Sequence, residues 1–386
     1  MKIINYFTLC ACFLLFISVK AQNTSYYFPD FGAKWTEKQA KTYDISQPAL
    51  DKAVAFAKAN EYSESRDLRQ AILKGFESEP YHKILGPTKK RGGPAGMILK
   101  NGYLVAQWGD IKRVDMTFSV TKSFLSTTAG LAIDAGLISS INDTVANTIW
   151  DGTFDGAHNS KISWKNLLEQ NSDWSGELWG GKDWADRPPL TGDTDDWKYR
   201  ELKEPGTFFE YNDVRVNVLS YALTNVWREP LPKILREHVM DKIGASTTWR
   251  WYGYDNSWIN IDGLQMQSVS GGGHSGGGMF ISAEDMARFG LLFLNQGAWK
   301  NEQIITKNWV KEIRNPSAPN PNYGYMWWLN EQGPRHWEGL DDNIYYAAGF
   351  GGNFIIIDEA NDLVVVTRWL EPSKVGEFMN LVNDAL

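Results

Sequence analysis

Short apolar runs bounded by turn residues occur near both ends of the chain and predict β-strands there. Residues 95–99 and 103–108 flank Lys100-Asn101-Gly102, and an Asn-Gly pair between two apolar runs is a strong signal for a β-hairpin. Three later runs have the same character, at 325–329, 353–358 and 363–370. The Asn361-Asp362 pair is expected to join the last two runs as another hairpin.

Helical periodicity appears between and after these runs. Ser46 and Ser282 are plausible N-caps, and Gly136 is a plausible helix end. The predicted helices cover 46–60, a stretch from about 119 to 136, 282–293, and a final segment from about 373. Residues 140–260 carry helical patterns and long polar loops.

This order of elements predicts an α+β fold. Strands at both chain ends favour one mostly antiparallel sheet, flanked by helices, with a mostly helical region inserted. We expect one domain over residues 22–386. Its sheet region covers about 46–135 and 280–386, and the insertion covers about 136–279. The Ser119 segment lies where these two parts meet.

The N-terminus has the pattern of a secretory signal peptide. A basic start, an apolar run over residues 3–19 and Lys20-Ala21-Gln22 predict cleavage after Ala21. An uncleaved anchor is the alternative, but the run is short and contains polar residues. A lipoprotein site at Cys12 fits poorly because apolar residues follow it. The expected location is periplasmic or secreted, without stable membrane insertion after cleavage.

Composition narrows the chemistry. The net charge of −7 and the absence of a Lys/Arg-rich run argue against nucleic acid as a partner. Both cysteines, Cys10 and Cys12, lie in the predicted signal peptide, so the mature chain has no thiol for a disulfide, a nucleophile or a metal. No His-Glu-x-x-His or paired-carboxylate spacing occurs, so neither metal nor cofactor is expected. The sequence does not predict the oligomeric state.

Ser119-Val120-Thr121-Lys122 places a hydroxyl and an amine three residues apart at a predicted helix start. Residues with this spacing share one helix face, so the amine can reach the hydroxyl. A serine becomes a useful nucleophile when an adjacent base removes its proton. Lysine is such a base only when neutral, and burial and the helix dipole both lower its pKa. The motif alone has little specificity, and a solvated surface lysine is the alternative.

With the strands and the insertion in place, the chain resembles the penicillin-recognising serine hydrolases over roughly residues 80–375. It looks most like class C β-lactamase-like enzymes, esterases and 6-aminohexanoate-dimer hydrolases. The resemblance implies that Ser119 is acylated and that Lys122 helps to remove its proton.

A second family motif, Tyr-x-Asn, corresponds to Tyr211-Asn212-Asp213. The resemblance implies that Tyr211 shuttles a proton, although an aromatic core role is the alternative. Asp213 stands where the family commonly has Asn. A carboxylate beside Lys122 would keep that lysine charged, so either Asp213 points elsewhere, towards Arg215, or Tyr211 takes more of the base role.

The third family motif, Lys-Thr-Gly or His-x-Gly, is absent after Tyr211. The nearest match is Ala347-Ala348-Gly349, followed by Phe-Gly-Gly. The resemblance implies that a backbone N–H of Ala347 or Ala348 joins that of Ser119 in an oxyanion hole. Without the cationic side chain, a preference for β-lactam carboxylates is not expected.

Gly273-His274-Ser275-Gly276-Gly277 fits the Gly-x-Ser-x-Gly elbow of α/β-hydrolases, which needs a preceding strand and an immediate helix. Here 279–281 and the Ser282 cap intervene, so Ser275 is the weaker nucleophile candidate. The glycines instead indicate turns or a close backbone approach, and His274 is expected to touch substrate or to be a satisfied loop residue.

Trp174, with Trp179 and Trp184, forms either an aromatic wall for substrate or part of the core. Together these features predict an exported serine hydrolase that cleaves a small ester, a linear amide or a peptide-like molecule. The alternatives are a penicillin-binding-like protein that recognises peptides with little turnover, and an α/β-hydrolase using Ser275.

Overall fold

A computed structural model describes residues 26–386, so the predicted signal peptide and both cysteines lie outside the described residues. The helices in this range are α1 (Gln47–Ala59), α2 (Leu68–Gly75), α3 (Thr121–Asp134), α4 (Gly156–Asn159), α5 (Trp164–Leu168), α6 (Thr194–Lys198), α7 (Asp213–Trp227), α8 (Leu231–Leu235), α9 (Ala283–Leu294), α10 (Lys307–Glu312) and α11 (Val375–Asn383). The strands in this range are β1 (Ala95–Lys100), β2 (Tyr103–Trp108), β3 (Asp115–Met116), β4 (Glu177–Leu178), β5 (Gly181–Lys182), β6 (Arg250–Ile261), β7 (Leu264–Val269), β8 (Gly278–Ile281), β9 (Ala298–Trp299), β10 (Glu302–Gln303), β11 (Trp328–Leu329), β12 (Tyr345–Gly349), β13 (Asn353–Asp358) and β14 (Leu363–Arg368).

The main sheet combines strands from both chain ends, as the hydrophobic pattern predicts. Its six strands follow the order β11-β12-β13-β14-β1-β2, and all neighbouring pairs are antiparallel. The β1–β2 turn has positive φ at Asn101 (52°) and Gly102 (80°), as expected for a tight hairpin turn. Asp362 also has positive φ in the turn between β13 and β14.

Both faces of this sheet are buried. On β13, Ile355 and Ile357 belong to the core cluster that also contains helices α3 and α9, whereas Ile356 belongs to a second cluster with α1 and α11. This alternation follows from the two-residue period of a strand. Helices α1, α9 and α11 cover the two faces, in agreement with the predicted layers.

The predicted helices around the sheet are present. Ser46 caps α1 by accepting a hydrogen bond from the N–H of Ala49, and Ser282 caps α9 through the N–H of Asp285. Gly136, with φ of 71°, follows the end of α3. The strand expected over 325–329 is shorter than predicted, because only its last two residues pair with β12.

Residues 136–279 contain helices α4–α8, but they also contain a long hairpin that the pattern did not predict. Strands β6 and β7 pair antiparallel across a turn at Asp262-Gly263, where φ is 55° and 78°. An Asp-Gly pair is a recognised hairpin signal, and it was overlooked because the flanking strand mixes aromatic and polar residues. Strand β8 then pairs with both β6 and β3.

Strand β8 holds the turn that precedes α3. The N–H of Thr117 donates to the carbonyl of Met279 at 2.9 Å, and the N–H of Met279 donates to the Thr121 hydroxyl at 3.0 Å. Between them a 3₁₀ turn at Phe118–Val120 carries Ser119. The nucleophile candidate therefore lies at the junction of the main sheet, the smaller sheet and α3.

Candidate active site

The backbone before Ser119 has a constrained geometry. Phe118 has a φ of 49°, a conformation that costs a non-glycine residue energy unless its surroundings enforce it. Its ring is 2% exposed and packs 5.0 Å from the ring of Phe350. Packing of Phe118 thus fixes the direction in which Ser119 leaves the turn.

Ser119 and Lys122 are in direct contact. Lys122 Nζ donates to Ser119 Oγ at 2.8 Å, and the lysine side chain is 2% exposed. The spacing in the sequence therefore places both groups on one face, as expected. A buried amino group with a hydroxyl at hydrogen-bond distance has the geometry of a nucleophile and its proton acceptor.

Asp213 is the other partner of Lys122. Its Oδ1 lies 2.6 Å from Lys122 Nζ, and its side chain is also buried. Asp213 therefore does not point towards Arg215, as one of the two sequence alternatives required. Burial lowers the pKa of Lys122, but the Asp213 carboxylate and Tyr211 together outweigh burial and raise that pKa above its ordinary value. Lys122 is an ammonium in the resting site, contrary to the expectation of a lowered pKa.

Tyr211 covers the same lysine with its ring. Lys122 Nζ lies 4.6 Å from the ring centroid, and the ring stacks on Trp328 with centroids 5.5 Å apart. The C-terminal part of the chain thus holds a side chain supplied by the insertion. The structure brings Ser119, Lys122 and Tyr211 together at one site.

Arg187, which the sequence analysis missed, binds the second oxygen of Asp213. Its Nη2 lies 2.6 Å from Asp213 Oδ2 and 3.1 Å from His274 Nδ1, and its Nη1 lies 2.5 Å from Asp186 Oδ1. Burial would raise the pKa of Asp213, but Lys122 and Arg187 together lower it well below its usual range. Arg187 lies in a polar loop without regular periodicity, so no sequence signal marked it.

Both ring nitrogens of His274 have hydrogen-bond partners within this network. Its Nε2 lies 2.6 Å from Glu79 Oε2, and its Nδ1 lies 3.5 Å from Asp213 Oδ2. Because a guanidinium only donates, Nδ1 accepts from Arg187 and the Nε2–H donates to Glu79. This assigns a neutral imidazole, so His274 links Arg187 to Glu79 without adding charge.

The glycine-rich loop packs against the ion pair at Gly272, where there is no room for a side chain. A Cβ on this residue would lie 1.8 Å from Asp213 Oδ1 and 2.4 Å from Lys122 Nζ. The loop therefore makes the close approach that its glycines indicated, and the group approached is the ion pair. Ser275, by contrast, is followed by strand β8, and its carbonyl accepts the N–H groups of Leu85 and Gly86. A nucleophile elbow needs a helix at once, so the Ser275 hypothesis is wrong for this fold.

The end of β12 lies against the nucleophile turn. A Cβ on Gly349 would be 2.2 Å from the Thr117 carbonyl oxygen and 3.2 Å from the Ser119 backbone nitrogen. Strand β11 pairs only with Tyr345 and Tyr346, so within residues 26–386 the edge of Ala347, Ala348 and Gly349 on that side has no strand partner. The predicted third motif is thus placed next to Ser119.

Trp174 does not line a cleft. It is 2% exposed, and its indole N–H donates to the Thr153 carbonyl at 2.8 Å. The prediction that Trp174 forms part of an aromatic wall for substrate is therefore wrong. This residue belongs to the core, as the alternative interpretation had it. Trp184 remains partly exposed, with its ring edge-on to Tyr81 at 6.1 Å.

Two groups among the described residues offer three metal-type ligand atoms within 4.8 Å: Glu79, His82 and His274, and Asp186, Asp213 and His274. The shortest contact, 2.6 Å between His274 Nε2 and Glu79 Oε2, is a direct hydrogen bond. Two ligands of one tetrahedral zinc at ~2.0–2.1 Å would be about 3.3 Å apart. The Arg187 guanidinium also opposes a cation here, so the distances describe a hydrogen-bonded network.

Comparison with solved structures shows the fold. A protein from Bacillus anthracis described as a 6-aminohexanoate-dimer hydrolase superposes with a TM-score of 0.58 at 16% identity, covering 93% of this chain and 89% of that one. A family VIII carboxylesterase superposes with a TM-score of 0.57 at 16% identity, covering 89% of this chain and 99% of that one. A penicillin-binding protein homologue from Caulobacter crescentus gives 0.56 at 15% identity, covering 83% and 98%. The predicted α+β fold is confirmed.

Sequence comparison gives a shorter match and a family. An N-acetylmuramyl-L-alanine amidase of Bacillus subtilis (strain 168) is 31% identical over 101 residues, which are 25% of this chain and 22% of that protein. The chain thus spans about a fifth of this relative's length. The family model described as beta-lactamase matches residues 114–368, more than half of the chain. This confirms the resemblance that the Ser119 and Tyr211 motifs indicated: the chain belongs to the beta-lactamase family of serine hydrolases.

Proposed function

We propose that this enzyme hydrolyses a small ester or a linear amide through an acyl-enzyme on Ser119. The observation that carries the proposal is the 2.8 Å contact between Ser119 Oγ and Lys122 Nζ inside a buried, charged site. Ser119 Oγ attacks the carbonyl carbon and the leaving group departs. Water then attacks the ester of Ser119 and releases the acid.

The proton of Ser119 is taken up by the pair formed by Lys122 and Tyr211. Lys122 is an ammonium at rest, so the pair must lose one proton before it can accept another. Lys122 Nζ lies 4.6 Å from the Tyr211 ring centroid, and the charges around Lys122 set the pH at which this proton is lost. The rate of acylation is therefore expected to rise with pH. A well-placed general base contributes about 10²–10⁴ in rate.

The oxyanion hole is proposed to combine the Ser119 N–H with a backbone N–H of Ala347 or Ala348. The close approach of Gly349 to Ser119 supports a donor from this end of β12. Along a strand edge, alternate residues direct their N–H groups outwards, so an edge without a strand partner has donors to offer. One such donor is worth about 3–4 kcal/mol in the transition state.

Esters and linear amides are favoured over β-lactams because the β12 wall lacks a cation. Ala347 stands where the family motif carries Lys or His. Arg187, a second cation of the site, is already paired with Asp186 and Asp213. The names of the hydrolase and carboxylesterase with the same fold agree with this class of substrate.

A second candidate function is peptide recognition with little turnover. The 2.6 Å ion pair between Lys122 and Asp213 favours it, because a permanently charged lysine is a poor base. Such a protein would bind a peptide-like molecule in the same cleft. It would acylate slowly or not at all.

Labelling with a fluorophosphonate, read by intact mass, tests the proposal. The wild type and Ser275→Ala are expected to gain one label, and Ser119→Ala none. Unlabelled wild type would then be screened for hydrolysis of p-nitrophenyl esters and linear amides, with Ser119→Ala as the inactive control. A folded wild type that gains no label would contradict the proposal and favour the binding protein. Loss of label only in Ser275→Ala would reject Ser119 as the nucleophile.

We also propose export, based on the N-terminal sequence pattern. Among residues 26–386, no helix combines the length and apolarity needed to cross a membrane. The expected intact mass of the protein in the periplasm or medium corresponds to a chain that starts at Gln22. A full-length chain in the membrane fraction would contradict cleavage after Ala21.

A further inference from the structure

Both oxygens of the Asp213 carboxylate are held by different cations. Oδ1 lies 2.6 Å from Lys122 Nζ, and Oδ2 lies 2.6 Å from Arg187 Nη2. Asp213 is 2% exposed, so water does not screen these contacts effectively. The charge of the carboxylate is therefore shared between the catalytic lysine and a second cation that does not touch Ser119.

Arg187 is itself fixed on its other sides. Its Nη1 binds Asp186 Oδ1, and Asp186 Oδ2 accepts the N–H groups of Asp213 and Val214 at the start of α7. His274 Nδ1 accepts from Nη2, and Glu79 holds the opposite side of that imidazole. The guanidinium thus cannot turn away from Asp213 without also breaking its hydrogen bonds to Asp186 and His274.

We propose that Arg187 is a positioning residue that takes up one oxygen of Asp213 and so compensates for an aspartate where the family commonly has asparagine. This rests on the proposed function, in which Lys122 must give up a proton before Ser119 is acylated. An aspartate alone beside Lys122 would bind that proton strongly. The Asp213–Arg187 pair has no net charge and in this respect resembles the neutral asparagine.

Electrostatics gives the direction of each effect. An anion beside Lys122 favours the ammonium and raises the pKa of the lysine, whereas a nearby cation lowers it. The other titratable groups that face Lys122 and Asp213 are Tyr211, Tyr254, Tyr323, His274, Asp186 and Glu79. All the variants retain these groups, so a comparison of the single and double variants isolates the effect of the pair.

The test is the pH dependence of the fluorophosphonate labelling rate at Ser119, which needs no substrate. Arg187→Gln leaves Asp213 to Lys122 alone, so the midpoint of the rising limb is expected about one pH unit higher than in the wild type. Asp213→Asn removes the carboxylate beside Lys122 and leaves Arg187 paired with Asp186 alone, so its midpoint is expected about one unit lower. The double variant should return to within about half a unit of the wild type, and so should Arg187→Lys, which keeps the charge.

Midpoints of the two single variants that move in opposite directions and meet in the double variant support the inference. Two single variants that move in the same direction, or that do not move, would overturn it, even when Ser119 still labels. If Arg187→Gln does not fold, Asp213→Asn is compared with the double variant, whose midpoint must be the higher one. A wild type that does not label at Ser119 would remove the proposed function, and this inference with it.

Discussion

Asp213 and Arg215 lie two residues apart in the first turn of α7, and both are 2% exposed, yet they serve different parts of the molecule. Asp213 contacts Lys122 and Arg187, next to the reactive hydroxyl. Arg215 contacts Asp173, Asp183 and Glu210, which lie in loops of the insertion. Residues at this spacing point to different sides of a helix, so the two networks cannot merge.

The comparison shows that burial of an ion pair does not by itself indicate function. Arg215 pairs with three carboxylates, and its Nε also donates a hydrogen bond to the Trp174 carbonyl at 2.9 Å. It holds loops together, but no nucleophile touches it. The Asp213 network differs in one contact, between Lys122 and Ser119, and that contact makes its protonation matter for chemistry.

The largest expected effect is on the catalytic side of this comparison. Lys122→Ala removes the group 2.8 Å from Ser119 Oγ, and acylation is expected to slow by about 10²–10⁴. The measurement is the fluorophosphonate labelling rate at a fixed pH. Lys161→Ala, which changes a lysine paired with Glu204 at the surface, is the matched control and should label at the wild-type rate. Retention of more than a tenth of the rate in Lys122→Ala would contradict the role of Lys122.

A change in the Arg215 network should lower the free energy of unfolding and leave the acylation chemistry unchanged. Arg215→Met leaves buried carboxylates of Asp173 and Asp183 with fewer partners, and a loss of about 3–5 kcal/mol in the free energy of unfolding is expected. Urea denaturation measures this loss. The pH midpoint of labelling should stay at the wild-type value, because Arg215 does not contact Lys122. A shifted midpoint would show that the two networks are coupled after all.

Gly272→Ala distinguishes the glycine loop from the rest of the site. The new Cβ would lie within 2.4 Å of both Asp213 Oδ1 and Lys122 Nζ, so one of these groups must move. Overpacking of this kind costs about 1–3 kcal/mol, and we expect the labelling rate to fall by about 10–100-fold. Gly271→Ala is the control, because its Cβ would meet Val216 and Leu125. It should lower stability and retain the pH midpoint.

His274→Ala should have a smaller effect on acylation. Arg187 keeps its bonds to Asp186 and Asp213, so a loss of less than about tenfold in labelling rate is expected for one lost hydrogen bond. The same rate assay measures it. A loss as large as that of Lys122→Ala would instead make His274 part of the proton transfer.

The smallest expected difference concerns stability in acid. The pKa of Asp213 is lower in the folded protein than in the unfolded chain. The unfolded state therefore binds more protons as the pH falls. The free energy of unfolding decreases as the pH drops from about 5 towards and below the ordinary aspartate pKa. Asp213→Asn removes this contribution, so it should lose less stability between pH 6 and pH 3 than the wild type does. Urea denaturation at the two pH values measures the difference. Equal losses would contradict a lowered pKa for Asp213.

Local sequence patterns determined much of the fold. The Asn101-Gly102 turn, the Ser46 and Ser282 caps and the short apolar run of β13 each depend on neighbours within a few positions, and all were predicted. The Asp262-Gly263 hairpin had a local signal of the same kind that was overlooked. The contact between Ser119 and Lys122 was also local, because helix geometry fixes residues three apart.

What only the tertiary structure decided is the charge state of the site. Asp213, Arg187, His274 and Glu79 come from four separate segments, and each pairs with a group that no periodicity connects to it. The sequence shows which side chains carry charge, but the pKa of Lys122 depends on which carboxylate lies 2.6 Å away and on how little water reaches it. Coulomb interactions and burial act through space, so they are settled only when distant segments have packed together.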